Sequence, residues 1–501
     1  MPKAEKQNTN YLFELIKSLN KPEKGYFRKY FCKDDGVGKN NYVVLFDLLD
    51  GFEEYDEEKI NKTIHKKLTG ANLPSLKNYL YEQILKSLRA YHAGDSIASE
   101  LREILSNVEV LFAKKLFQQA LSLNQKGKQK AINLDLPHQT ILFLMMERNL
   151  LSLMHTFPAK RETVFNDILS EIINLENSTK LFHLDSQITD ISNQFYPPRD
   201  ETLMQDIINM HKLLQPFENK NLPPRSQLLF NSIAATYFYF IQEPVKALTL
   251  RKANLSVYDA NPDIKSSNQK NYVTALINFI AVAHAVDDLP AAQKGITLLE
   301  KVKASSVTEA HNYQEILFSF KLFTLTHTTN KEAALNLIKQ ADAFFESVPS
   351  SSPHRNISLF RICLYYFNEN DLEIAAERIH LLLQRGFTDW QQRIPTHARF
   401  LQIIIHYELD NTFLLDSLIR SCYRFLKKKE LLYEPERIML NFFKRLVTKH
   451  KSETIPLFKK LRNDLEESAK NRFNNNFFNE YNYINWLDKK IQVLSPVAKS
   501  V

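Results

Sequence analysis

The chain runs to 501 residues, with 65 lysines and arginines against 57 aspartates and glutamates for a net charge of +8, and it holds only 9 glycines. An ordinary chain carries about 7% glycine. Strand turns, phosphate loops and dinucleotide folds use that glycine for positive φ and close ligand approach, and here only Gly295 and Gly386 lie beyond Gly127, which excludes those classes for most of the chain.

The opening MPKAEKQNTN is polar and charged without an apolar core, unlike a secretory signal. Residues 1–96 read as an N-terminal helical cap or module. Amphipathic helices are expected at Tyr11 to Leu19 and Ser75 to Tyr91, with an acidic stretch from Asp47 to Glu58 between them. Leu45, Phe46, Ile60, Ile64, Leu68, Tyr79, Leu80 and Ile84 outline three short apolar-faced helices. A degenerate winged-helix-like module is the alternative, but terminal units of helical arrays are commonly atypical, which favours the cap. Gly36-Val37-Gly38 lacks the third glycine and flanking strand of a dinucleotide site and reads as a turn.

Residues 97–440 read as a helical array. Leu101 to Asn124 makes one helix pair, and His138 to Asn174 and Thr179 to Leu214, around the break Tyr196-Pro197-Pro198, make two divergent ones. Thereafter a small residue or its counterpart recurs at Ala247, Ala292, Ala334, Ala375 and Asp416, in steps of 45, 42, 41 and 41 residues. Each follows a first helix with an i, i+3, i+4, i+7 apolar stripe, such as Leu276, Phe279, Ile280 and Ala283. The turns inside the pairs carry Gln242-Glu243-Pro244, Asp287-Asp288, Thr329-Asn330, Asn370-Asp371 and Asn411-Thr412, whose side-chain oxygens are expected to cap the second helices. Such a period marks hairpins that cannot bury their apolar faces alone and must stack. Asp416, carrying charge at the small position, is expected to be exposed or paired. Residues 441–501 read as a basic helical C-terminal cap, with Phe458 to Leu494 a long amphipathic helix interrupted at Asn474 to Asn476.

These offsets resemble the tetratricopeptide repeat. The clearest matches are Asn356 to Leu383, with Tyr366, Asn370-Asp371-Leu372 and Ala375; Val273 to Leu299, with Ala283, Asp287, Leu289 and Ala292; and Leu101 to Asn124, with Leu111, Lys115, Phe117 and Ala120. The period exceeds the standard 34 residues. The resemblance implies an all-α fold, a superhelical solenoid of stacked hairpins with an atypical N-terminal module. It also implies a groove lined by the first helices, where Tyr239, Phe240, His284, Phe323, His327, Phe360, Phe367 and Asn368 are the candidate contacts, with Leu401 and Glu408 further along. These aromatics either serve as rigid binding anchors or pack between units. The subtype that holds a C-terminal carboxylate uses lysines and asparagines where this chain has Ser232, Thr236, Ile277, Ala281, Ser319 and Phe323, so an apolar or amphipathic protein segment is the expected guest.

No Walker lysine, nucleophile elbow or His-Glu-x-x-His is present, and the 14 histidines are scattered singly. The expectation is a protein that is not an enzyme, with no cofactor and no metal. Three widely spaced cysteines, Cys32, Cys363 and Cys422, fit reduced thiols better than disulfides. The longest apolar stretch, Tyr272 to Val286, is too short to span a bilayer; a cytoplasmic location without membrane insertion is expected. From Arg420 to Arg472, 15 basic residues against 7 acidic ones account for the whole net charge. Arg420, Arg424, Lys427, Lys428, Lys429, Lys444 and Arg445, interleaved with Tyr423, Phe425, Phe442 and Phe443, either form a solvated helix face or track phosphates. The functional expectation is thus a scaffold or adaptor binding a protein or peptide in the groove; the alternative is a nucleic-acid-associated or regulatory protein using the basic segment.

Overall fold

The computed structural model describes residues 4–31, 41–68, 73–92, 94, 96–154, 158–195, 201–326, 330–349, 352–385, 387, 393–449, 453–471, 474 and 476–494, and no strand occurs among them. His327, Cys32, Gly36-Val37-Gly38 and Tyr196-Pro197-Pro198 lie outside the described residues. The chain divides into two compact units, Met1–Glu171 and Ile172–Val501.

In the first unit, α1 (Ala4–Ser18), α2 (Lys21–Phe31), α3 (Asn41–Gly51), α4 (Glu57–Lys67) and α5 (Leu73–Tyr91) surround one core. Leu12, Ile16, Phe27, Phe46, Ile60, Ile64, Leu80 and Ile84 fill it at helical spacing. The acidic stretch is partly neutralised by α2: Asp50 receives Lys24 at 2.6 Å and Arg28 at 3.0 Å, and Asp47 receives Arg28 at 2.8 Å. Five helices, with no strand among the described residues, fit the helical module expected here. Next come α6 (Ile97–Ala113), α7 (Phe117–Asn133) and α8 (Pro137–Leu153). Ala120 is fully buried, and Asn124 Nδ2 donates to the Phe143 carbonyl at 2.9 Å, pinning α8 to α7.

The helix α9 (Pro158–Phe195) is continuous for 38 residues. This corrects the expected break between Asn174 and Thr179: no proline or glycine follows Pro158 in it, Ser178 and Thr179 return their hydroxyls to the Leu175 carbonyl, and Lys180 pairs with Glu176 one turn back.

The second unit is an all-α solenoid of tetratricopeptide-like hairpins. After α10 (Glu201–Leu214) its elements are α11 (Pro224–Phe240), α12 (Pro244–Ala260), the short α13 (Pro262–Ser267), α14 (Gln269–Ala285), α15 (Leu289–Glu300), α16 (Val307–Thr326), α17 (Lys331–Ser347), α18 (Pro353–Asn368), α19 (Leu372–Gln384), α20 (Arg393–Glu408), α21 (Thr412–Lys428), α22 (Glu434–Leu446), α23 (Ile455–Ala469) and α24 (Tyr483–Leu494). The pairs α11/α12, α14/α15, α16/α17, α18/α19 and α20/α21 each pack internally, and α12 meets α14, α15 and α18 meet α16, and α19 meets α20. Ala247, Ala292 and Ala375 are completely buried and Ala334 nearly so, as a residue between closely packed helices must be. Asp416 is exposed and pairs with Arg420 at 2.6 Å. The long C-terminal helix resolves into α23, a 3-10 turn at Asn476–Asn479 and α24.

The turns between these helices explain the glycine poverty. Seven non-glycine residues among those described take the left-handed conformation: Lys115, Asp135, Gln242, Asp287, Asn370, Asp410 and Glu430, with φ from 50° to 65°. In each turn the next residue's N–H returns to the carbonyl five positions back, as in Glu243 to Phe238 (2.8 Å), Asp288 to Ala283 (2.9 Å), Asp371 to Tyr366 (2.9 Å) and Asn411 to His406 (3.0 Å). This is the Schellman closure, usually made by glycine; Asn and Asp tolerate the conformation better than other side chains and supply four of the seven positions. Side-chain caps are accordingly fewer than expected: Asp288 and Asn330 accept from Ala291 and Ala333, each at 3.0 Å, whereas Glu243, Asp371 and Asn411 make no such bond.

Candidate functional site

Along the face shared by α14, α16 and α18 lies a cavity of about 1620 Å³. Each helix contributes positions on one stripe: Ile277, Ala281 and His284 from α14, Ser319, Phe320 and Phe323 from α16, and Ile357, Arg361, Leu364 and Asn368 from α18. Spacings of three, four and seven residues keep most of them on one side of each helix; Phe320, next to Ser319, widens the lining on α16. The C-terminal segment supplies another wall through Phe478, Glu480, Tyr481, Trp486, Lys489 and Lys490.

A chain of contacts ties these walls together. His284 stacks on Phe323 with ring centres 4.3 Å apart, and its Nε2 meets Thr324 Oγ1 at 3.0 Å. The Arg361 guanidinium lies 4.7 Å from the same Phe323 ring, donates to the Glu480 carbonyl at 3.1 Å and pairs with the Glu480 carboxylate at 3.1 Å. Arg393 pairs with the other carboxylate oxygen of Glu480. Burial alone would raise the Glu480 pKa, but Arg393 and Arg361 outweigh it and hold the group at about 2. On α20, Glu408 accepts from Trp486 Nε1 at 3.0 Å and from Lys490 Nζ at 2.5 Å, fixing α24 against the array. His354, also on the wall, approaches Ser319 Oγ through Nδ1 at 3.3 Å. Burial depresses its pKa to about 4 against a smaller opposing pull from Glu315.

Of the groove residues expected from sequence, Tyr239, His284, Phe323, Phe367 and Asn368 line this cavity. Phe240 and Phe360 do not. Phe240 packs with Leu181, Ile207 and Leu214, and Phe360 is fully buried in the core that also holds Cys363, Ala375 and Ile379. Each stands one position from a lining residue, Tyr239 or Arg361, and one position is a rotation of about 100°, enough to turn a side chain from cavity to core. Leu401 is likewise core, while Glu408 reaches the cavity. Arg361, Arg393, Glu480 and Lys489 were missed. Arg361 was findable, because it stands seven residues before Asn368 on the same stripe; Glu480 lies in a stretch read as amphipathic helix, where a lone glutamate looks like any solvated face residue, and it falls instead between the 3-10 turn and α24.

The basic candidates Arg420, Arg424, Lys427, Lys428 and Lys429 are exposed along α21, opposite its buried stripe of Leu415, Ile419, Cys422 and Leu426, and Lys444 and Arg445 are exposed on α22. Lys444 Nζ lies 5.0 Å from the Tyr423 ring centre, joining the two helices. Phe442 and Phe443 are buried and so unable to stack on bases. Among the described residues no group of three or more histidines, cysteines or acids could hold a metal, and no helix is long and apolar enough to cross a membrane.

The fold and this site define a class: helical-repeat solenoids with a cavity on the face of their first helices. No protein-family model matches the chain. No curated protein matches it either. Solved structures similar to it include the apo form of the quorum sensor NprR from B. thuringiensis, 14% identical with a TM-score of 0.42, over 67% of this chain and 93% of that one. The apo form of RapI is 10% identical with a TM-score of 0.38, over 78% of this chain and 97% of that one.

Proposed function

We propose that this chain is a non-catalytic cytoplasmic scaffold or adaptor that binds a protein or peptide segment in the cavity on the α14, α16 and α18 face. The observation that carries the reading is the cavity itself: about 1620 Å³, lined by Tyr239, Phe320, Phe323, Phe367 and Trp486 together with aliphatic residues such as Ile277, Ile357 and Leu364 and with charged and polar groups. Aromatic anchors in a desolvated concavity are the usual source of interface energy. Ala281 lines the cavity and its side chain is exposed, so Ala281→Arg projects a long charged side chain into the cavity without entering the core. Partners recovered by the wild-type chain in a pull-down read by mass spectrometry should be missing with Ala281→Arg, at an unchanged helical circular-dichroism signal. Equal recovery by both chains refutes the reading.

The exposed basic faces of α21 and α22 support a second reading, association with nucleic acid. Affinity for generic DNA or RNA should then fall steeply between about 50 and 200 mM salt; absence of binding at the lower salt removes it.

A further inference from the structure

The cavity walls carry charges of two kinds, those already engaged within the protein and those left for a guest. Among the lining carboxylates, Glu408 is held by Trp486 and Lys490, Glu480 by Arg361 and Arg393, and Asp488 by Arg462 at 2.5 Å. Asp287, in its left-handed turn, is the remaining lining acid. On the cationic side, Lys489 is exposed and lines the cavity with no ion pair among the described residues. Arg361 is largely buried beside Phe323, and its Nε has no hydrogen-bond partner. Its other two nitrogens show what this position accepts, a main-chain carbonyl and an acidic side chain from one stretch of polypeptide, at Glu480.

We propose that the guest is a peptide segment carrying an aspartate or glutamate side chain among apolar residues, its carboxylate received at the wall formed by Arg361 and Lys489 and its apolar side chains lying along Phe323 and Ile277. This rests on the groove reading above and specifies its occupant. The physical case is charge complementarity: an acidic group entering here meets the uncommitted Lys489 ammonium beside Arg361 and Arg393, two guanidinium groups that share the single Glu480 carboxylate and so leave one positive charge in excess, and charge-assisted hydrogen bonds in a partly dried wall are roughly twice as strong as neutral ones. A basic guest would meet engaged acids apart from Asp287. The side chain is preferred to a terminal carboxylate because Arg361 takes a side-chain carboxylate and a peptide carbonyl together, the pairing that an internal residue presents.

The test is a positional nonapeptide library tethered through its C-termini, so that no terminal carboxylate is free, probed with the full-length chain. Retained peptides should show Asp or Glu at one position flanked by aromatic or aliphatic residues. In solution, the Glu form of a retained peptide should bind about tenfold more tightly than its Gln form, the equivalent of one charged contact. Lys489→Gln and Arg361→Gln should each reduce that ratio. Lys489→Glu, a change at an exposed position, should shift the preference toward Lys or Arg, a gain that misfolding cannot mimic. Retention of apolar peptides without acidic preference, an acidic preference unchanged in Lys489→Glu and Arg361→Gln, or a preference seen only with free C-termini overturns the proposal while leaving the groove reading intact. Retention of no peptide overturns both.

Discussion

Gly127 lies within α7, where a glycine should cost about 1 kcal/mol relative to alanine in helix propensity. The Gly127→Ala substitution nevertheless ought to destabilise the protein. A Cβ built there would stand 2.5 Å from Phe143 Cε1 and Cζ and 2.9 Å from Ile104 Cγ2. Phe143 is only 1% exposed, and the bond from Asn124 to its carbonyl holds its helix in place, so the ring has little room to retreat. Overpacking of this kind costs about 1–3 kcal/mol, which exceeds the propensity gain and leaves a net loss of about 1 kcal/mol, or roughly 2–4 °C in melting temperature for a unit of this size. Gly25 provides the control in the same compact unit: it lies within α2 with nothing within 4 Å of its Cβ position, so Gly25→Ala should stabilise by about 1 kcal/mol. Urea unfolding followed by circular dichroism at 222 nm measures both. Phe143→Leu should partly rescue Gly127→Ala, giving a non-additive cycle. If Gly127→Ala is as stabilising as Gly25→Ala, the close approach of α7 and α8 is wrong.

Four further outcomes are expected. Lys115 and Glu430 hold left-handed backbone at exposed positions, so Lys115→Gly and Glu430→Gly should each raise the stability measured by urea unfolding by about 0.5 kcal/mol after the greater freedom of glycine in the unfolded chain is subtracted. Arg355 and Glu315 form a fully buried pair, with Arg355 Nε 3.0 Å from the carboxylate and Nη1 3.1 Å from the Phe345 carbonyl; Arg355→Met or Glu315→Gln alone should cost about 3–5 kcal/mol, whereas replacing both with apolar residues should cost much less. His354 is neutral in the fold, with its pKa pushed down to about 4 from 6.5. The unfolded chain takes up that proton first, so stability present above pH 6.5 should be lost between pH 6.5 and 4, by about 3 kcal/mol, and His354→Gln should flatten that interval in pH-dependent melting. Burial raises the Cys363 thiol pKa well above its usual range and that of Cys422 to about 12; in a Cys32→Ser chain, neither should react with a thiol reagent at pH 8 until the protein unfolds.

The array was legible because its signal is physical and repeated. Ala247, Ala292, Ala334 and Ala375 sit where two helices leave room for a methyl group and little more, and that constraint recurs at every hairpin whatever the surface does. The continuity of α9 was less legible because polar residues at Asn174 to Thr179 resemble a helix boundary; the hydroxyls of Ser178 and Thr179 turn back to Leu175 instead and the helix goes on. The turns misled in a different way. Their side-chain oxygens were expected to cap the second helices, yet most turns close as Schellman motifs on Asp, Asn, Gln, Lys and Glu, because two returning hydrogen bonds and the packing of a whole helix pair outweigh a local cost of about 1–2 kcal/mol.

The site was the hardest part to read, for a geometric reason. A helix face is selected to within about 100° by a single position, and aromatic residues occur on both the cavity stripe and the core stripe of α18, so Phe360 and Phe367 could not be told apart by type. Charge carries more information than aromaticity at this point. A buried phenylalanine satisfies the core without further partners, whereas an arginine at position 361 needs a carboxylate, and the one it finds comes from Glu480, 119 residues further along the chain. The cavity is therefore built jointly by the array and the C-terminal segment: removing the Glu480 carboxylate by Glu480→Gln would leave Arg361 and Arg393 sharing an amide where they now share a charge. The same change would leave every aromatic wall residue in place, so binding that depends on the arginines would respond to it and binding that depends on apolar area alone would not.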